Sequence, residues 1–139
     1  MTRTESPPQV WVDADVVLRL LTGQAQTQAA AALMARADAG ELRLRLCPLV
    51  VAEVVWVLTS AYDVSRERVA DVLTSFLASG GLVVEEGMLL VAALAQMAEQ
   101  RVDFVDAYLA AKAGLSWAPA ATFDGDFDSL GAERQALDA

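Results

Sequence analysis

Val10-Trp11-Val12 is a short apolar run that ends at Asp13, the pattern of a buried strand. A helix is predicted from about Asp15 to Leu21, closed near Gly23, and a second, rich in alanine, from Thr27 to Ala39, stopped by Gly40. Leu42 to Leu46 alternates leucine with arginine, which marks a strand with one wet face. Pro48 suits the first turn of a helix reaching about Tyr62. Ser65 opens another, to about Ala78, before Gly80-Gly81. Leu82-Val83-Val84 reads as a third strand, followed by helices over Glu86 to Gln100 and Asp103 to Ala113. Ala118 to Thr122 is read as a fourth strand, although Ala and Pro are poor strand formers. A turn and a short helix follow Phe123. Strands alternating with helices predict an α/β fold with a mainly parallel sheet. Ligands of such sheets bind beyond the carboxyl ends of the strands, where Asp13 and Asp124 fall.

Composition narrows the chemistry. The 139 residues contain 55% apolar side chains, which fits one globular domain and excludes a disordered chain. Residues 10–139 read as that domain, behind a flexible tail over 1–9 that carries Pro7 and Pro8. The only cysteine is Cys47 and there is no histidine, so a disulfide framework, a cysteine zinc cage, and a histidine base or metal ligand are all excluded. Hydrolysis must run on carboxylates, hydroxyls or an oxygen-held metal. Nineteen acids against ten bases give a net charge of −9, which disfavours broad electrostatic capture of nucleic acid. A cation held by acids can nevertheless present positive charge to a phosphate. No apolar stretch suits a signal peptide or a membrane span, so a soluble, cytoplasmic protein is expected. The lack of Ile and Asn, with one Lys, suggests a GC-rich, bacterial genome.

Most of the acids, including Glu67, Asp71, Glu85 and Glu99, fit a solvated surface. Glu53 does not. It is the only charge between Leu46 and Tyr62, on a helix apolar around most of its circumference. It lies about 60° from the stripe Val50, Val54, Val57 and Ala61. Burial is therefore expected, with the carboxyl protonated, paired with an arginine such as Arg19 or Arg101, or sharing a cation. Asp103 and Asp106 share a helix face; the first suits a cap, the second is read as interior to the helix. Asp124, Asp126 and Asp128 alternate in an Asp-Gly turn, and Asp15 is a candidate cap for the first helix. Four separate segments thus place a carboxylate where an apolar run meets a polar one. Oxygen-only ligands select Mg²⁺ or Mn²⁺, and the chemistry implied is metal-assisted phosphoester cleavage.

These segments resemble the motifs of PIN-domain ribonucleases, in particular the VapC-like toxins of VapBC toxin–antitoxin modules. The matching stretches are Val-Asp13-Ala-Asp15-Val-Val-Leu, Val-Ala-Glu53-Val-Val-Trp, Val-Asp103-Phe-Val-Asp106-Ala-Tyr-Leu and Ala-Thr122-Phe-Asp124-Gly-Asp126-Phe, in order, from Val10 to about Leu130. The resemblance implies a three-layer α/β/α fold with four or five short strands. It implies an endoribonuclease using Mg²⁺ or Mn²⁺ and leaving a 5′-phosphate, a homodimer, and silencing by an antitoxin protein. By carry-over, Asp13, Glu53, Asp106 and Asp124 are the catalytic metal-site acids, joined at the metal by Asp126, with Thr122, Asp15 and Asp103 in support. Asp15 departs from the pattern, since many members have Asn there.

Two rivals remain. Asp13-Ala-Asp15 after a strand also resembles haloacid-dehalogenase-type phosphatases, with Asp13 as nucleophile, Asp15 as general acid, and Lys112 and Gly125-Asp126 as later motifs. That reading leaves Glu53 and Asp106 without a role. The other is a catalytically silent binding module. For an RNA substrate, Arg19, Arg43, Arg45 and Lys112 are candidate phosphate contacts, and the apolar helices over 48–62 and 86–98 suggest self-association.

Overall fold

Pairing of the predicted apolar runs builds the centre of the molecule. The computed structural model describes residues 6–23 and 27–137. Strand β1 is Gln9–Trp11, β2 is Arg43–Leu46 and β3 is Leu82–Val84. They form a parallel sheet in the order β1-β2-β3, with Val10 beside Leu44 and Leu44 beside Leu82. Parallel neighbours need long crossovers. Helices α1 (Ala14–Thr22) and α2 (Thr27–Asp38) supply the first; α3 (Pro48–Ser60) and α4 (Arg66–Leu77) supply the second. Helices α5 (Gly87–Gln100), α6 (Phe104–Leu115) and the single turn α7 (Asp126–Ser129) follow. The α/β class with a parallel sheet is as expected.

The sheet has three strands among the described residues, not four or five. Ala118–Thr122 makes only an isolated parallel bridge, Ala120 with Arg134. Pro119 lacks the N–H that a ladder needs, and the neighbouring alanines offer little side chain to pack. At the other end, the sheet begins before residue 10: the Arg43 N–H donates to the Pro8 carbonyl at 2.8 Å and Gln9 lies opposite Arg43. The rest of the expected tail, residues 1–5, lies outside the described residues.

Burial follows the periods of the chain. In β2, Leu44 and Leu46 are sealed in the core. Around them pack Val17 of α1, Val51 and Val54 of α3, Val69 and Leu73 of α4, and Leu90, Leu94 and Met97 of α5. Helix α3 corrects the expected geometry. Its buried stripe is Val51, Val54, Val55 and Leu58, and Leu49, Glu53 and Trp56 lie on the opposite, exposed side. Glu53 is therefore not buried, and needs neither a proton nor an arginine partner to be tolerated.

A second, smaller cluster shapes the C-terminal region. Phe127 of α7, only 1% exposed, packs with Ala110 and Ala113 of α6 and with Ala120. This contact fastens the turn over 122–128 to α6.

Gly81 marks the tightest backbone approach. It has φ +81°, and a Cβ there would stand 2.6 Å from the Ala37 carbonyl carbon. Gly81→Ala is expected to cost about 1–3 kcal/mol in urea unfolding. Gly114→Ala, in α6 with open space around it, is expected to be neutral or to stabilise by up to about 1 kcal/mol.

Candidate functional site

Asp13 follows directly on the first strand, where the Val12 N–H still donates to the Arg45 carbonyl at 3.0 Å. Its side chain caps α1, accepting from the Val16 N–H at 3.1 Å. The cap is thus Asp13, not Asp15. Asp15 lies one turn before Arg19 and pairs with its Nε at 3.0 Å. Helix α1 begins a residue earlier than the pattern suggested, which moves the capping position to the acid that ends the strand.

Asp103 occupies the position before α6, but its side chain makes no capping bond; Arg66 of α4 pairs with it at 3.0 Å. Asp106 lies inside α6 as expected, in its first turn, and is half-buried. A carboxylate there is favoured by the helix dipole. Partial burial nevertheless raises its pKa above the ordinary value, and the Asp103, Asp124 and Asp126 carboxylates add to the rise.

The Asp124 turn is braced from within. The Asp124 N–H donates to Thr122 Oγ1 at 3.0 Å, and Asp124 Oδ1 accepts from the Asp126 N–H at 2.9 Å. Arg134 Nη1 donates to the Asp124 carbonyl at 3.4 Å, and its Nε pairs with Asp128 at 3.2 Å. With Phe127 seated against α6, this turn carries its acids to the N-terminal end of that helix.

The structure therefore brings Asp103, Asp106, Asp124 and Asp126 into one electrostatic neighbourhood. Asp13 and Glu53 are not among the charges acting on Asp106. Glu53 belongs to the exposed face of α3. Two grooves flank the α3–α6 contact. One, about 340 Å³, carries Trp56 and Thr59 from α3, with Arg66, Asp103 and Asp106. The other, about 370 Å³ and apolar, lies beyond the ends of β2 and β3, between Cys47, Leu49 and Ala52 on one side and Phe104, Val105 and Tyr108 on the other.

Sequence reasoning missed one polar cluster. Glu86, in left-handed backbone with φ 55°, accepts from Lys112 Nζ at 2.6 Å and from the Tyr108 hydroxyl. Lys112 and then Tyr108 hold the Glu86 pKa below its ordinary value, and Glu86 raises those of Lys112 and Tyr108. Lys112 is thereby committed to a structural pair. Arg19, taken by Asp15, and Arg45, which bonds Gln9 at 3.0 Å and stacks 5.0 Å over Trp11, are similarly engaged. The available signal was positional: Tyr108 and Lys112 are one turn apart on α6, and Glu86 follows the carboxyl end of β3.

A parallel three-stranded sheet flanked by helices defines an α/β protein, and Asp106 has the Asp103, Asp124 and Asp126 carboxylates as its electrostatic neighbours. The PIN domain family model matches residues 10–133, and the chain belongs to that family. PIN domains are generally metal-dependent nuclease domains, commonly served by Mg²⁺ or Mn²⁺. No curated protein matches the sequence. No helix among the described residues is long and apolar enough to cross a membrane.

The donor chemistry suits a hard divalent cation, since every candidate ligand is a carboxylate oxygen. Among the described residues, however, no three acids stand close enough together to hold one ion as placed. The raised pKa of Asp106 gives a sign for its effect on stability. Because the folded Asp106 carboxyl titrates above its unfolded value, the fold loses stability as pH rises through that pKa. Asp106→Asn removes the loss. In EDTA at neutral pH, this variant is expected to melt at or above the parent, and the gap is expected to close as pH falls toward about 4. Calorimetry across pH checks both.

Proposed function

We propose that the chain is an endoribonuclease dependent on Mg²⁺ or Mn²⁺, and the toxin of a toxin–antitoxin pair. The observation carrying this reading is the convergence of Asp106 with Asp124 and Asp126 in a PIN domain. Asp13, Glu53, Asp106 and Asp124 are proposed as the metal-site acids, with Asp126 beside them. A bound cation would supply an activated water and neutralise the scissile phosphate. The protein's own part is orientation. Thr122 fixes the Asp124 backbone, Asp124 in turn holds Asp126, and Phe127 seats the turn. Asp103, paired with Arg66, contributes charge to Asp106 rather than a free ligand. Asp15 is assigned to the α1 surface by its pair with Arg19.

Purified protein with a panel of RNAs, set beside a generic phosphomonoester, tests this reading. RNA cleavage is expected with Mn²⁺ or Mg²⁺ and not with EDTA. Asp106→Asn and Asp124→Asn are expected to lose on the order of 10²-fold or more in rate. Glu53→Gln is expected to lose at least about tenfold, while Glu99→Gln on the solvated surface stays at parent rate. Phosphomonoester hydrolysis without RNA cleavage would overturn the nuclease in favour of Asp13 as a nucleophile.

A cytoplasmic homodimer that binds an antitoxin completes the proposal. Leu49 at 82%, Trp56 at 68% and Val105 at 60% exposure line the α3–α6 grooves, an apolar surface that a lone chain leaves in water. Leu49→Glu is tolerated by the first turn of α3. It is expected to shift the protein from dimer to monomer in light scattering without changing its melting point by more than a few degrees.

A further inference from the structure

Two phenylalanines flank Asp124 in the same short turn, and their fates are opposite. Phe127 is buried against α6, while Phe123 stands 91% exposed. The turn therefore has an apolar pocket to offer, and Phe123 is not in it. Nor is Phe123 carried on a loose loop. Ala120 is bonded on both sides to the strand-like segment 133–135, its N–H donating to the Glu133 carbonyl and its carbonyl accepting from Gln135, each at 2.8 Å. Thr122 and Arg134 hold the Asp124 backbone. The ring is fixed at its root and presented to solvent, one residue from a proposed metal-site acid.

It also has a groove beside it. Thr122, Phe123, Arg134, Gln135 and Leu137 line a mostly polar depression of about 340 Å³. An aromatic face, an amide and a guanidinium around one opening suit a nucleobase: stacking on the ring, hydrogen bonds at the edge. The charge of the molecule strengthens the case. At −9 overall, with Asp124, Asp126 and Asp128 at hand, the surface repels a phosphate backbone. Base stacking is indifferent to that repulsion and accepts any base.

We propose that Phe123 is a stacking platform for an unpaired base of single-stranded RNA next to the scissile phosphate, with the Arg134–Gln135 groove holding the flanking nucleotide. The inference rests on the ribonuclease reading for its substrate. Phe123 is a positioning residue; the carboxylates remain the reacting groups.

Binding of a short fluorescein-labelled single-stranded RNA to the full chain, made non-cleaving by Asp106→Asn and kept in Mg²⁺, isolates the platform. Adding Phe123→Ala is expected to weaken binding about tenfold. Phe123→Trp is expected to stay within about threefold of the parent, and Phe123→Leu to remain as weak as the alanine variant, because stacking needs a π-face. The ratio between parent and Phe123→Ala should be constant between about 50 and 200 mM salt, whereas Arg134→Ala should lose its effect as salt rises. Met88→Ala, equally exposed on α5, should change nothing. In the cleaving protein, Phe123→Ala should raise KM with kcat nearly unchanged, the signature of lost uniform binding.

Equal affinities for the parent and Phe123→Ala would overturn the platform, as would full rescue by leucine. A change in oligomeric state with RNA binding intact would overturn it too, and make the ring a protein contact. Failure of the nuclease reading looks different: no RNA cleavage by the wild-type protein with Mn²⁺, whatever Phe123 does. Aromatic-dependent RNA binding in such a protein would still support the platform.

Discussion

Parallel pairing around β2 is the constraint from which the rest follows. It sends the carboxyl ends of all three strands to one edge, so Asp13, Cys47 and Glu85 each begin a connection there. Leu44 and Leu46, sealed in the core, anchor β2 at the centre of that sheet. The acids of the C-terminal region have no strand to deliver them, because Ala118–Thr122 does not join the sheet. Phe127 does that work instead, by seating a four-residue turn on the alanines of α6. Asp13 thus depends on a backbone ladder, and Asp124 with Asp126 on one buried ring, while α3 and α6 carry Glu53 and Asp106.

Helix α6 is where the two halves meet. Its small residues Ala107, Ala110 and Ala113 are buried on different neighbours, Ala107 in the main core and the other two under Phe127. Its polar side chains divide in the same way. Asp106 faces the acids of the 122–128 turn, and Tyr108 with Lys112 grips Glu86 at the end of β3. The Glu86 clamp ties the carboxyl edge of the sheet to the helix that carries Asp106. Glu86 sits in a left-handed backbone that disfavours side chains other than glycine, and the two hydrogen bonds offset that strain.

The sequence made the α/β alternation, the three true strands and the ends of most helices readable, because each rests on local periodicity and on glycine or proline stops. Where it misled, a tertiary choice was involved. On α3 nearly every position is apolar, so periodicity alone did not decide which stripe would turn inward. The structure chose Val51, Val54, Val55 and Leu58, one residue's rotation from the expected stripe, and that rotation put Glu53 in water. The order of the acids identified the neighbourhood of Asp106 and Asp124. It did not reveal which acid caps α1, since Asp13 and Asp15 are both good caps and only the helix start distinguishes them. The Glu86–Tyr108–Lys112 cluster joins residues 22 and 26 positions apart, and no local pattern announces such a contact.

The acidity of the chain sets the last physical problem. On the proposed ribonuclease reading, a protein of net charge −9 must approach a polyanion against its own field. Among the described residues six of its cations pair with acids: Arg19 with Asp15, Arg36 with Glu41, Arg45 with Glu85, Arg66 with Asp103, Lys112 with Glu86, and Arg134, through its Nε, with Asp128. A diffuse basic surface is therefore not how this molecule holds a substrate. What remains on that reading is local: divalent cations held by the proposed metal-site acids, and uncharged contacts from exposed rings. Both act at short range and both are concentrated around one turn, residues 122–128. A ribonuclease built this way, as proposed, would gain little from long-range steering and would discriminate by what fits at that turn, where an unpaired strand brings half the charge of a stiff duplex.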